Sequence, residues 1–225
     1  MELLYYGHSA FHLTLGDTSV LIDPFLTDNP HTEVAPDAVR ADYIILTHAH
    51  GDHVGDTEAI AERTGATLIS SFEIVTYFSD KGVSGHPMNP GGGYDFSFGR
   101  VSFTPAWHSS SFPDGTYGGM PMGVVIEHEG KRLYHAGDTA LFSDMTLIGR
   151  KGLDAALLPI GDNFTMGPED ALEAVNLLGP KLVVPIHYDT FDPIKQDAEA
   201  FRREVETHTS ARCRVLSAGE ALTLD

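Results

Sequence analysis

Tyr43-Ile44-Ile45-Leu46-Thr47-His48-Ala49-His50-Gly51-Asp52-His53 begins as a short β-type run and ends with four metal-capable side chains in six positions. The β-branched and aromatic start predicts a strand, which places His48, His50, Asp52 and His53 on the loop leaving it. A hydrophobic core does not account for these four, because each buried imidazole or carboxylate would need its own polar partner. Neutral imidazole nitrogens and carboxylates approaching from different angles suit Zn²⁺ in tetrahedral or slightly expanded geometry. A solvated loop rich in His and Asp is the competing reading, and the density of ligand-type groups weighs against it.

Outward from this stretch the chain alternates between strands and helices. Runs at 3–6, 11–15 and 20–22 read as strands. A helix is expected over 56–63, with Asp56 at its N-cap and Gly65 as its stop, followed by a strand at 66–69. A second group of strands falls at 94–98, 101–106, 123–127 and 132–135, read as antiparallel neighbours with Gly130-Lys131 turning between the last two. Beyond them come a strand at 155–158, a helix at 168–178, a strand at 182–186, a helix at 195–206 and a strand at 214–216. Ala171, Ala174, Val175 and Leu178 share one helix face, and Ala198, Phe201 and Val205 share another, so both helices should pack on a sheet. Hairpins and β–α–β units in both halves suit an α/β fold of two mixed sheets enclosed by helices, although periodicity alone equally permits other α/β layers. With no linker, repeat or low-complexity tract, one domain over 1–225 is expected. Two irregular segments, 84–93 and 109–121, are rich in Gly, Pro, Ser and aromatics and are expected to be lids or binding loops.

Three more candidate ligands stand at the ends of predicted strands: His108 after 101–106, Asp138 after 132–135 and His187 after 182–186. Singly each is a weak sign, since a lone His there is more often a satisfied polar residue. Together the seven positions resemble the metallo-β-lactamase superfamily, whose sign is Thr-His-x-His-x-Asp-His followed by a distant His, a distant Asp and a final His. Gly7-His8-Ser9-Ala10-Phe11, Tyr134-His135-Ala136-Gly137-Asp138-Thr139 and Phe164-Thr165-Met166-Gly167 further resemble the branch of predicted metal-dependent hydrolases related to ascorbate-phosphate lactonase.

The resemblance implies a four-layer αββα sandwich and two divalent metal ions per chain. His48, His50 and His108 would hold the first, Asp52, His53 and His187 the second, with Asp138 bridging. Three His ligands leave an open position for water, and a bridging carboxylate offsets the mutual repulsion of two cations. Zinc is the first expectation, with Mn²⁺, Fe²⁺, Co²⁺ and Ni²⁺ as alternatives that the same ligands accept. Asp23 resembles the superfamily's early Asp, which hydrogen-bonds a ligand histidine and fixes its tautomer. Asp52, Asp138 and His8 form the expected catalytic set. His8 and His135 are candidates for substrate contact or proton delivery. His12, His31, His86, His128 and His208 read as surface or structural residues.

Composition narrows the function. A net charge of −18, from 32 acidic against 14 basic residues, would repel nucleic acid over most of the surface. The single cysteine, Cys213, reads as a small buried residue and excludes an intramolecular disulfide. The first residues lack a basic segment followed by a long apolar one, and no apolar run approaches ~18 residues, so a soluble cytoplasmic protein without a membrane partner is expected. Gly91-Gly92-Gly93 has no capped helix or Lys after it and reads as a flexible loop rather than a phosphate cradle. No Gly-x-Ser-x-Gly elbow is present, and Cys213 lies far in sequence from the motifs, which removes ordinary serine and thiol nucleophiles.

The expected reaction is hydrolysis of a small ester or lactone by a metal-activated hydroxide, with no organic cofactor. A small phosphodiester is the alternative that the same arrangement serves. Two other classes compete: a di-iron redox protein, whose relatives carry a carboxylate where His50 stands, and a non-catalytic metal-binding protein. Relatives in this branch often self-associate, so a homo-oligomer is compatible with the sequence, and the expected partner is a small-molecule substrate.

Overall fold

The computed structural model describes residues 1–224, so of the span read as one domain only Asp225 lies outside the described residues. The first sheet is built from β1 (Glu2–Gly7), β2 (Ala10–Leu15), β3 (Thr18–Ile22), β4 (Tyr43–Ile45), β5 (Thr67–Ser71) and β6 (Gly85–Met88). The second contains β7 (Gly93–Phe96), β8 (Gly99–Pro105), β9 (Met122–His128), β10 (Lys131–His135), β11 (Leu153–Pro159), β12 (Pro180–Ile186) and β13 (Arg212–Cys213). A last strand, β14 (Ala221–Thr223), returns to the first sheet beside β1, giving the orders β14-β1-β2-β3-β4-β5-β6 and β13-β12-β11-β10-β9-β8-β7. Each sheet is mixed. β1 to β3 and β7 to β10 run antiparallel, as the sequence predicts for the second group, whereas β3 to β6 and β10 to β13 run parallel.

Alternation along the strands separates three apolar layers. Leu3, Phe11, Leu13, Val20, Ile22 and Ile45 of the first sheet face Val101, Phe103, Val124, Ile126, Leu157 and Val184 of the second across the shared core. The opposite face of the first sheet packs Leu21, Ile44 and Leu68 under α2 (Thr57–Thr64) and α3 (Phe72–Ser79), which follow the one-turn helix α1 (Gly51–Val54). On the far side, Ala156, Leu158 and Val183 lie under α4 (Met145–Gly149), α5 (Pro168–Leu178) and α6 (Ala198–His208). The order is helix, sheet, sheet, helix, the αββα sandwich. The predicted faces of α5 and α6 are the buried ones.

Several boundaries differ from expectation. The helix read over 195–206 starts at Ala198, because Asp197 accepts the Ala200 N–H at 2.8 Å and caps the helix there, while 192–194 form a single 3₁₀ turn. The strand read at 214–216 lies instead at Arg212–Cys213, where it pairs with Leu182 and Val183. The segment 84–93 is not wholly irregular: it holds β6, an edge strand whose Pro87 needs no partner on its open side. Asp56 stands at the N-cap of α2, but its carboxylate accepts from Leu26 N, Thr27 N and Thr27 Oγ1 and pins the 24–27 segment instead.

The parallel strands β3, β4, β10 and β12 all deliver their C-terminal ends to one rim of the sandwich. Three bonds stitch the two sheets there: His187 N to the His8 carbonyl at 2.9 Å, Met122 N to the Thr47 carbonyl at 3.0 Å, and His135 Nε2 to the Ser9 carbonyl at 3.0 Å. Loops at the carboxyl ends of parallel strands are where α/β folds place their ligands.

Candidate metal centre

All seven predicted ligands meet at this rim. His48 and His50 leave β4, Asp52 and His53 sit on α1, His108 follows β8, Asp138 follows β10 and His187 follows β12. His48 Nε2 lies 3.0 Å from His50 Nδ1, and His108 Nε2 lies 3.3 Å from the same atom. Asp138 Oδ2 stands 3.5 Å from His108 Nε2 and 3.9 Å from His48 Nε2. On the other side, the same carboxylate approaches His187 Nε2 at 3.0 Å through Oδ2 and His53 Nε2 at 3.3 Å through Oδ1. Asp52 Oδ2 lies 3.8 Å from His187 Nε2 and 4.0 Å from His53 Nε2. Tetrahedral ligands about 2.05 Å from one zinc ion stand roughly 3.3 Å apart, so these separations suit donor atoms aimed at a shared point.

The hydrogen bonding supports that reading. His53 Nε2, Asp138 Oδ1 and both nitrogens of His187 are buried without a hydrogen-bond partner, even though neighbours lie near by. Buried polar atoms left without partners are costly and rare, and here His53 Nε2, the Asp138 carboxylate and His187 Nε2 face one another across the site. The residues present therefore fit a metal site.

Asp23 fixes how the lone pairs point. Its Oδ2 accepts His53 Nδ1–H at 2.8 Å and the Thr47 hydroxyl at 2.7 Å, while Oδ1 accepts Thr47 N–H at 2.9 Å. With its proton given to Asp23, the Thr47 hydroxyl can only accept from His48 Nδ1–H, 3.0 Å away. One buried carboxylate thus leaves Nε2 of both His53 and His48 free for the centre. His50 turns the other way, with Nδ1 inward and Nε2 donating to Ser109 Oγ at 3.3 Å.

Electrostatics follow from this packing. Burial lowers the His48 and His108 pKa values and keeps both imidazoles in the neutral, ligating form. Burial also opposes ionisation of Asp138, but the neighbouring His187 and His53 hold its carboxyl well below the usual range. For His53, burial acts downward and is outweighed by the carboxylates of Asp138, Asp23 and Asp52, so its pKa is raised.

The structure places His8 behind Asp52 rather than in the mouth of the site. Its Nε2–H donates to Asp52 Oδ2 at 3.1 Å and its Nδ1 meets Thr190 Oγ1 at 2.8 Å. Burial, with His187 close by, depresses its pKa to about 4, so it is a neutral support that orients Asp52. His135 is ruled out for proton delivery: Nε2–H is spent on the Ser9 carbonyl and Nδ1 accepts Gly137 N–H at 3.1 Å. His86 packs against Tyr94 and Phe96, ring centroids 4.3 and 5.0 Å away, as a structural residue. Of the two segments read as lids, 109–121 reaches the site through Ser109 and also bonds Ala49 N–H through Ser110 Oγ; 84–93 does not line it.

Over the centre lies a cavity of about 350 Å³ lined by five of the candidate ligands together with Ser109, Phe164 and Phe191. Sequence reasoning missed both phenylalanines as site residues. The available sign was an aromatic set among polar loop residues just beyond a ligand, as in Asp189-Thr190-Phe191-Asp192.

An αββα sandwich with this His and Asp cluster at one rim defines a metallo-β-lactamase-type metal-dependent hydrolase. Residues 18–188 match the model of the β-lactamase superfamily domain, and the chain belongs to that family. It is 59% identical over 225 residues, with full coverage of both chains, to a UPF0173 metal-dependent hydrolase of Thermus thermophilus. Its identity to the UPF0173 metal-dependent hydrolase of Shouchella clausii is 54% over 231 residues, again with full coverage. Among solved structures, the metallo hydrolase Igni18 of Ignicoccus hospitalis superposes with a TM-score of 0.91 at 41% identity, covering 98% of this chain and 97% of that one.

Proposed function

We propose that this chain holds two divalent metals, zinc first among them, and hydrolyses a small ester or lactone. The observation that carries the reading is the set of buried, unpartnered donor atoms, His53 Nε2, Asp138 Oδ1 and His187 Nε2, facing one another across a few ångströms. His48, His50 and His108 would hold one ion and Asp52, His53 and His187 the other, with Asp138 between them. When bound, such a pair supplies an activated water and polarises the substrate oxygen.

The chain's own groups do the rest. Asp138 has a side chain only 3% exposed and serves to hold and separate the two sites, whereas Asp52 is 26% exposed and faces the cavity. Asp52 is therefore the carboxylate that would take the proton released by the attacking water and pass it to the leaving oxygen. His8 and Thr190 keep it oriented. Ser109 bridges His50 to the cavity wall.

The test is metal-dependent hydrolysis of a panel of lactones and model phosphodiesters, with Asp52→Ala as the blank. Lactone turnover lost in the variant supports the reading. Turnover of phosphodiesters alone moves the substrate class to phosphoryl transfer, and turnover that survives Asp52→Ala removes Asp52 from the chemistry.

A further inference from the structure

We infer that Phe164 and Phe191 form an apolar clamp over the centre, and that the substrate is an uncharged carbonyl compound carrying an alkyl or aryl group. The inference rests on the hydrolase reading and names the substrate class of that same site. Apart from the candidate ligands, the cavity wall consists of Ser109 and these two phenyl rings. None of the chain's 14 Lys and Arg residues lines it. Lys195 is the cation nearest to Phe191 in sequence, and it is spent on Asp192 at 2.7 Å in a separate depression with Gln196 and Asp197. A phosphate or carboxylate on the substrate would find no guanidinium or ammonium to meet it here, as recognition of such groups ordinarily requires.

Both rings are held open to solvent by tight, hydrogen-bonded turns. Phe164 is 55% exposed and Phe191 38% exposed. Phe164 follows two consecutive non-glycine residues in the left-handed region, Asp162 at φ 60° and Asn163 at φ 41°. That turn is closed by Asp162 N to the Met166 carbonyl at 3.0 Å and by Thr165 N to the Asp162 carbonyl at 3.0 Å. It is anchored beside Asp138 by Met166 N to the Thr139 carbonyl at 3.0 Å. Phe191 comes two residues after Asp189, itself at φ 61°, whose carboxylate accepts Gln196 N–H at 2.9 Å. The Phe191 ring then meets His8 edge-on at 5.6 Å. Left-handed backbone at non-glycine residues is maintained where surrounding bonds over-determine it, and it gathers at ligand clamps. Two exposed aromatic faces carried on hydrogen-bonded turns beside the cavity are surface that a bound apolar group would cover.

The experiment uses the zinc-loaded protein and three hydroxamates read by calorimetry: acetohydroxamate, benzohydroxamate and the carboxylate-bearing succinohydroxamate. Benzohydroxamate should bind at least about tenfold tighter than acetohydroxamate, the worth of burying most of a phenyl ring, and succinohydroxamate no tighter than acetohydroxamate. The double variant Phe164→Ala/Phe191→Ala should bring the three affinities within about threefold of one another. Phe72→Ala, which removes an exposed phenyl on α3 outside the cavity, should keep the wild-type preference. Equal affinities in the wild type, tightest binding of the anionic tail, or a preference that survives the double variant would each overturn the clamp. So would a double variant whose main effect is a changed oligomeric state by size exclusion, since a second copy would then be what covers the rings. If the tails are discriminated but no lactone or ester is hydrolysed, the reaction assignment falls and the clamp stands. If no hydroxamate binds at all, the metal site and the clamp fall together.

Discussion

The Asp23 carboxylate accepts three hydrogen bonds and, directly or through Thr47, sets the tautomers of His53 and His48. In Asp23→Ala both imidazoles lose that constraint, so metal affinity should fall by about 10 to 100-fold while the chain stays folded. Metal titration beside circular dichroism checks this; unchanged affinity would show that packing alone orients the rings. Cys213 makes a prediction of the opposite kind. Burial, together with Glu206, pushes its thiol up to about 12, so almost none of it is thiolate at pH 8. An aromatic disulfide reagent at that pH should react at least about a hundredfold more slowly with the folded chain than with the chain in guanidinium. Equal rates would contradict the buried placement.

At the scale of elements, the one-turn helix α1 carries Asp52 and His53 and ends at Gly55, which adopts φ 37°. A Cβ there would stand 2.4 Å from the Pro24 carbonyl oxygen, immediately after Asp23. Gly55→Ala should therefore cost about 1 to 3 kcal/mol by denaturant unfolding and weaken metal binding as well, because α1 must move relative to Asp23. A variant as stable and as metal-avid as the parent would refute the close approach. The elements legible in the sequence were those whose pattern is carried by their own residues. α5 starts at Pro168, directly after its N-cap Gly167, and presents Ala171, Ala174, Val175 and Leu178 at helical spacing. The ligand set was legible because His48-Ala49-His50-Gly51-Asp52-His53 packs four donor-type side chains into six positions and the seven together resemble the superfamily motif, whereas His108, Asp138 and His187 taken singly carry little signal. By contrast α3 was invisible: Phe72, Ile74, Val75, Tyr77 and Phe78 are aromatic or β-branched and suit a strand, and the helix depends on Ser71 capping Ile74 N at 3.2 Å and on burial against the first sheet. β6 and β14 are short edge strands defined by their partners. The clamp was hidden for a similar reason, since only the folded loops bring Phe164 and Phe191, far apart in sequence, to one cavity.

Across the whole molecule, a net charge of −18 disfavours the compact state through self-repulsion. Raising ionic strength from about 10 mM to about 150 mM should raise the metal-free Tm, because the screening length falls from roughly 30 Å to roughly 8 Å. A Tm indifferent to salt would mean that the charges are already locally compensated. No helix among the described residues is long and apolar enough to cross a membrane. Metal binding works in the other direction from the charge repulsion, since ions that bind only the folded chain stabilise it by mass action. The central claim, that seven side chains on one rim hold two ions, is tested most directly by counting them. Elemental analysis after equilibration with zinc and removal of free ion should give two ions per chain, falling to about one in His50→Ala. One ion or fewer in the parent chain, or an undiminished two in the variant, would contradict the account.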